Sequence, residues 1–174
     1  MAERPIVLYG DPVLREVSSP VGEINGEIKA LVSDMIDTLQ KAQGLGLAAI
    51  QIGVPKRIFL VDLSVFDMTR PLKVFINPEI LNTDGEVEYE EGCLSFPGLY
   101  QHIVRPATVT VRATDVDGKQ FEMTAEGMTA RAILHEYDHL EGKLFIDHLS
   151  PLARTLLRGK LKRMSSQSSE TASP

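Results

Sequence analysis

The chain has 174 residues, 43% of them hydrophobic and 24% charged, with a net charge of −6, which suits one globular domain with its own core. That acidic balance excludes the broad positive surface of a general nucleic-acid binder, and no run approaches the ~20 apolar residues of a membrane-spanning helix. The opening Met-Ala-Glu-Arg-Pro-Ile lacks secretory or transit character and the lone cysteine, Cys93, cannot form an internal disulfide, so the expectation is a soluble, cytoplasmic protein.

In chain order, Asp11-Pro12 is a cap and first-turn proline that predicts a short helix to about Val17, broken by Ser18-Ser19-Pro20. Ile28, Leu31, Val32, Met35, Ile36 and Leu39 recur at helical spacing and predict an amphipathic helix over 25–42, capped by Asn25 and ended by Gly44. The small-residue stretch 44–53 is either a flexible connector or a backbone that something approaches closely; no Gly-Lys-Ser/Thr follows to make it a phosphate loop. Residues 57–62 and 73–77 read as short strands, with Asn77-Pro78 as punctuation. Residues 79–91 read as a hairpin or meander turning at Asp84-Gly85, and 91–98 as a loop with turn residues on both sides.

Residues 108–114 and 119–123 alternate around Asp115-Val116-Asp117-Gly118, a hairpin signal. A helix is expected from about Thr124 to Glu141, closed by Gly142. Ser150-Pro151 opens a last helix that carries Leu152, Leu156, Leu157 and Leu161, with Arg154, Arg158, Lys160, Lys162 and Arg163 among them. Residues 165–174 are polar with nothing to bury and are expected to form a disordered tail. The whole reads as α+β: one compact domain over 1–164, antiparallel or mixed strands around a central helix, and a C-terminal helix.

The central helix carries the chemistry. His135 and His139 stand four apart, on one helical face, and Glu136 follows the first directly. Apolar residues almost all round the helix predict that it is buried, where ionisable groups need partners or a metal. His-Glu-x-x-His on a helix is the pattern of metal-assisted hydrolysis with the glutamate as general base. A catalytic centre of this kind wants a third protein ligand. The histidine that one protease pattern places six residues on is Phe145 here, and the only later glutamate is Glu170, in the expected tail. Asp147 and His148 follow the helix end too closely to reach back. Cys93, in its Gly-flanked loop, is the best remaining candidate, since a metal keeps a thiolate deprotonated.

Three motifs, Gly44-Leu-Gly-Leu-Ala-Ala-Ile-Gln51, Glu91-Gly-Cys-Leu-Ser95 and His135-Glu-Tyr-Asp-His139, occur in the order and at separations similar to those of the peptide deformylases, and the chain resembles that family from Pro5 to Met164. The resemblance implies a hydrolase that removes the N-formyl group from the N-terminal formylmethionine of nascent polypeptides, releasing formate. It implies Cys93, His135 and His139 as ligands to one divalent metal, typically Fe2+, with Zn2+, Ni2+ or Co2+ as alternatives. By the same resemblance Glu136 takes a proton from the attacking water and returns it to the departing amine. The Gln51 side-chain amide and the Leu94 backbone N–H would steady the oxyanion. Around Gly46 and Gly92 the backbone would pair with an extended peptide, and Leu45, Met128 and Ala132 would help to form the methionine pocket.

Two departures stand out: Leu134 occupies a position that is often glutamine in the family, which implies altered packing, and Pro97-Gly98-Leu99-Tyr100 replaces a segment that in some members holds a substrate-touching arginine. Arg105 is a candidate partner for Glu91, and the basic last helix a candidate for weak ribosome contact through phosphates, with no specific nucleic-acid sequence read. The competing classes are a zinc endopeptidase, a metal-free hydrolase with Cys93 as nucleophile, and a non-catalytic metal-binding domain.

Overall fold

The computed structural model describes residues 2–172, in the order α1 (Gly26–Ala42), β1 (Gly46–Ala48), β2 (Ile58–Asp62), β3 (Leu72–Asp84), β4 (Val87–Cys93), β5 (Phe96–Arg105), β6 (Thr108–Thr114), β7 (Gln120–Glu126), α2 (Gly127–Leu140) and α3 (Pro151–Ala172), with short 3-10 turns between them. Met1, Ser173 and Pro174 lie outside the described residues. The strands form two antiparallel sheets, one of five strands in the order β1-β2-β3-β6-β7 and one hairpin, β4-β5.

Alternation along β2 explains the architecture. Phe59 and Val61 join the apolar cluster that includes Ala130, Ile133 and Leu134 of α2, whereas Ile58 and Leu60 join the cluster of Ile28, Leu31, Val32, Met35 and Leu39 of α1. Successive side chains of a strand point to opposite faces, so the large sheet is covered by α1 on one face and α2 on the other. Double coverage is why β2 reads as an unbroken apolar run. A third cluster, Leu14, Phe96, Leu99, Ile103, Phe145 and Leu161, fastens the β4–β5 hairpin to the C-terminal elements. Among these named strands every pairing is antiparallel; α2 is the central helix that the sequence predicts.

Boundaries depart from expectation where tertiary pairing overrides local signals. The first helix is a 3-10 turn of only Pro12–Arg15. Asn25 caps α1 as predicted, its side chain accepting from the Ile28 N–H at 3.1 Å, but the left-handed residue that closes the helix is Gln43 (φ 56), not Gly44. Gly44 serves close approach instead: a Cβ there would lie 2.8 Å from the Leu94 side chain.

Asn77-Pro78 does not end a strand. β3 runs through it with a register shift against β6 and Asn77 at φ 50, the bulge that a proline without an N–H requires. The expected hairpin over 79–91 is incorrect in its pairing. The chain does turn after Asp84, but β3 pairs with β6 and β4 pairs with β5. The expected loop at 91–98 is the reversal of that second hairpin. The β6–β7 hairpin is as predicted, and because Thr124, Ala125 and Glu126 pair with β6, α2 begins only at Gly127.

α3 also exceeds its prediction. The helix continues to Ala172, through residues assigned from composition to a disordered tail. Ser165 is seated against Gly10, where a Cβ would meet the Ser165 backbone at 2.8 Å, and no glycine or proline interrupts the helix between there and Ala172.

Candidate metal centre

α2 passes beside the end of β4, and this crossing assembles the site. Helical spacing puts His135 and His139 on one face with ring centroids 5.2 Å apart, while the last residue of β4 is Cys93. The ligand atoms of Cys93, His135 and His139 all lie within 4.8 Å of one another. Cys93 Sγ is 3.5 Å from His139 Nε2. A tetrahedral ion with bonds of about 2.3 Å to sulfur and about 2.0–2.1 Å to nitrogen separates those two atoms by about 3.5 Å, so the spacing fits a metal. One soft thiolate and two imidazoles suit Fe2+, Zn2+, Ni2+ or Co2+.

The surroundings orient the donors. Glu91 Oε1 lies 2.8 Å from His135 Nδ1, which leaves Nε2 of that ring for an ion. Arg105 holds the same carboxylate through Nε at 2.5 Å and Nη2 at 3.0 Å, and reaches Asp138 with Nη1 at 2.8 Å. Burial alone would raise the Glu91 pKa, but hydrogen bonds from His135 and Arg105 outweigh it and bring it to about 2. Burial disfavours a charged His135, yet Cys93 and Glu91 outweigh that and raise its pKa well above the ordinary histidine range. His139, by contrast, is lowered to about 3, first by burial and then by His135, and stays neutral as a ligand must.

Glu136 is the carboxyl of the site with an unpartnered oxygen. It is buried, its Oε1 has no hydrogen-bond partner among the described residues, and burial raises its pKa to about 7 against the opposing pull of His135 and Arg105. Gln51 sits across from it on the turn after β1. The Ala48 N–H donates to Gln51 Oε1 at 2.9 Å, which assigns the amide orientation and turns Nε2 toward Ser95 Oγ (3.2 Å) and Cys93 Sγ (3.6 Å).

Above these groups opens a cleft of about 380 Å3, between β1, the outer strand of the large sheet, and β4. Leu45, Gly46, Gln51, Gly92, Cys93, Leu94, Met128, Ala132, His135 and Glu136 all contribute to its walls, so the structure gathers the candidate substrate residues on one surface. His139 lies beneath it. Two glycines are there for space. A Cβ on Gly46 would come within 2.9 Å of Glu136 and of the Leu60 carbonyl oxygen, and one on Gly92 within 2.6 Å of the Tyr100 ring. Tyr100, 60% exposed, thus lies over Gly92 at the cleft rim. Leu134 is simply packed in the core.

Gly46→Ala should therefore displace Glu136 and cost roughly 1–3 kcal/mol of stability by overpacking. Thermal unfolding together with steady-state kinetics checks this; an unaltered melting temperature and turnover would contradict the contact.

Two participants escaped the sequence reading. Glu91 is visible there only as a partner of Arg105, whereas it also holds His135. Arg131, buried one turn before His135, donates to Glu91 Oε2 and, through Nη2, to the Val87 carbonyl at 2.8 Å. An arginine four residues before His135, on a helix expected to be buried, was the available signal.

A soft three-donor cluster beside a buried, unpartnered glutamate, at the floor of an open cleft, defines a metal-dependent hydrolase centre. The family model for polypeptide deformylase matches residues 3–155. The chain is 47% identical over 165 residues to the peptide deformylase of Mesorhizobium japonicum, covering 94% of each, and 48% identical over 164 residues to that of Cellvibrio japonicus, covering 94% of this chain and 96% of the relative. A crystal structure of a peptide deformylase from Legionella pneumophila superposes with a TM-score of 0.86 at 44% identity, over 99% of this chain and 100% of that one. The plant peptide deformylase PDF1B does so at 0.91 and 34% identity, over 97% and 92%. The chain belongs to the polypeptide deformylase family, metal-dependent enzymes that remove the N-formyl group from nascent peptides.

Proposed function

We propose that this chain hydrolyses the formamide of N-terminal formylmethionine with Glu136 as the proton carrier, and that the observation carrying this reading is the unpartnered Glu136 oxygen beside Cys93, His135 and His139. Cys93, His135 and His139 would hold a divalent ion, which when bound would lower the pKa of a water and polarise the formyl carbonyl. Glu136 accepts the proton from the water whose oxygen bonds to the formyl carbon. As the carbon–nitrogen bond breaks, Glu136 passes that proton to the departing amine, so formate and a free N-terminus result. Burial beside the three donors, with one oxygen left unpartnered, leaves Glu136 able to take up and give back a proton.

The oxygen that gains charge is steadied by Gln51 Nε2 and the Leu94 backbone N–H. The fixed amide orientation of Gln51 supports its part, and the position of Leu94 beside Cys93 supports the other. The peptide lies along the outer edge of β1 as an added strand, passing Gly46 and Gly92, with the methionine side chain against Leu45, Met128 and Ala132. Fe2+ is the proposed native ion, and the catalytic domain is assigned to residues 1–164. The cytoplasm, where nascent formylated chains emerge and a free thiol stays reduced, is the proposed location; no described helix is long and apolar enough to cross a membrane.

Formate release from formyl-Met-Ala-Ser, by protein purified without air and with metal content measured alongside, tests this. One equivalent of iron and no cleavage of unformylated peptides are the expected results. Cleavage of internal peptide bonds without deformylation would replace this reading with an endopeptidase.

α3 supports a weak second contact. Arg158, Lys160, Lys162 and Arg163 are exposed, whereas Leu161 is buried, so the basic side is free to meet ribosomal phosphates. Replacing these four with glutamate should lower co-sedimentation with ribosomes at low salt; unchanged pelleting would remove the proposal.

A further inference from the structure

Arg131 lies in the wall of the cleft yet is only 2% exposed. Its Nη1 donates to Glu91 Oε2, its Nη2 to the Val87 carbonyl at 2.8 Å, and its guanidinium stands 5.5 Å from the Tyr89 ring centroid. Its Nε has no hydrogen-bond partner among the described residues. Leaving that buried donor unpaired is unfavourable, and what the two Nη groups hold offsets it. Arg105 already clamps the Glu91 carboxylate from the Asp138 side, so the added guanidinium is not needed merely to neutralise it.

Its placement shows what it adds. Val87 and Glu91 are four apart on β4, and Cys93 ends that strand. Arg131 and His135 are four apart on α2, one turn of one face. The Glu91 carboxylate is therefore gripped by two side chains of α2, Arg131 through Oε2 and His135 through Oε1. These contacts close a ring between strand and helix that fixes how far α2 is rotated about its axis relative to β4. Cys93 is carried by the strand side of that ring, and both imidazoles by the helix side.

We infer that Arg131 is a positioning residue that sets the register of α2 against β4, and so fixes His135 and His139 relative to Cys93 and tunes the affinity of the centre for its divalent ion. This rests on the reading of those three residues as ligands, but not on the deformylation chemistry. Outer partners of metal ligands typically contribute 10–100-fold in metal affinity, and a planar fork bridging two acceptors is not replaced by an ammonium.

The test is Co2+ binding to metal-free protein, followed by competition with a chelator and by the visible absorption bands of the bound ion. Arg131→Met keeps the length of the stem and is expected to weaken Co2+ binding about tenfold or more and to shift the bands. Arg131→Lys, able to reach one acceptor at a time, should fall between. Thermal unfolding of the metal-free forms separates this from a structural role: a lowered melting temperature with unchanged Co2+ affinity and bands overturns the inference. If Arg131→Met does not fold, Arg131→Lys decides alone, and affinity equal to the unsubstituted protein overturns it. Neither readout requires turnover, so a protein inactive on formyl peptides would sink the proposed function and leave this inference standing.

Discussion

Glu136→Gln is expected to lower the rate of deformylation by about 100- to 10,000-fold, the usual range for a lost general acid–base, while the protein keeps its fold and its bound ion. Glu136 is not among the three clustered donors, so metal content should stay at one equivalent. The substitution keeps the shape of the side chain against Gly46 and removes only the ability to carry a proton. Full activity in the glutamine form would leave the acid–base role untenable.

A second consequence concerns stability. In the metal-free protein burial raises the Glu136 pKa to about 7, above the value of about 4.3 in an unfolded chain. A carboxyl raised on folding is harmless below its unfolded pKa and increasingly destabilising as pH climbs to its folded pKa, by a few kcal/mol at most. The melting temperature of metal-free Glu136→Gln should therefore gain on that of the parent as pH rises from about 4 to 7. Measured with a chelator present, a difference that is flat or of the opposite sign over that range would contradict the burial account.

Cys93→Ser should abolish stable metal binding and with it activity, by more than the 10–100-fold that an outer partner contributes. A serine hydroxyl stays protonated at neutral pH and is a poor ligand, leaving two imidazoles to hold the ion. Cys93 is only partly buried and ends a strand, so the fold should survive the change. Metal analysis after dialysis, with unfolding as control, decides between readings. Loss of metal and activity together supports the ligand role; full metal retention with lost activity would favour Cys93 as a nucleophile instead.

Where local chemistry dominates, sequence and structure agree. Asn25 caps α1 because its side chain reaches a backbone N–H three residues on, and the β6–β7 hairpin follows from its own turn residues. β5 was missed because Pro97, Gly98 and His102 weaken its strand signal, and its order comes from the β4 ladder and from Phe96, Leu99 and Ile103 in the third cluster. The 79–91 segment was misread for a related reason. A turn at Asp84-Gly85 reverses the chain, but which strand it then meets depends on residues far along the sequence.

The sequence by itself pointed to metal-assisted hydrolysis, because helical periodicity puts His135 and His139 on one face with Glu136 beside them and the three motifs resemble those of the deformylases. It also made Cys93 the best candidate for a third donor, because the later positions offer none and the motif around it resembles that of the deformylases. Only the tertiary structure decided how the donors are held. The Glu91 carboxylate joins His135, Arg105 and Arg131 across separations of 44, 14 and 40 residues. Spacing along a chain specifies which side chains share a face of one element. Whether a carboxylate on a strand meets two guanidiniums and an imidazole depends on how strand and helix cross, and that is decided by the packing of the whole core.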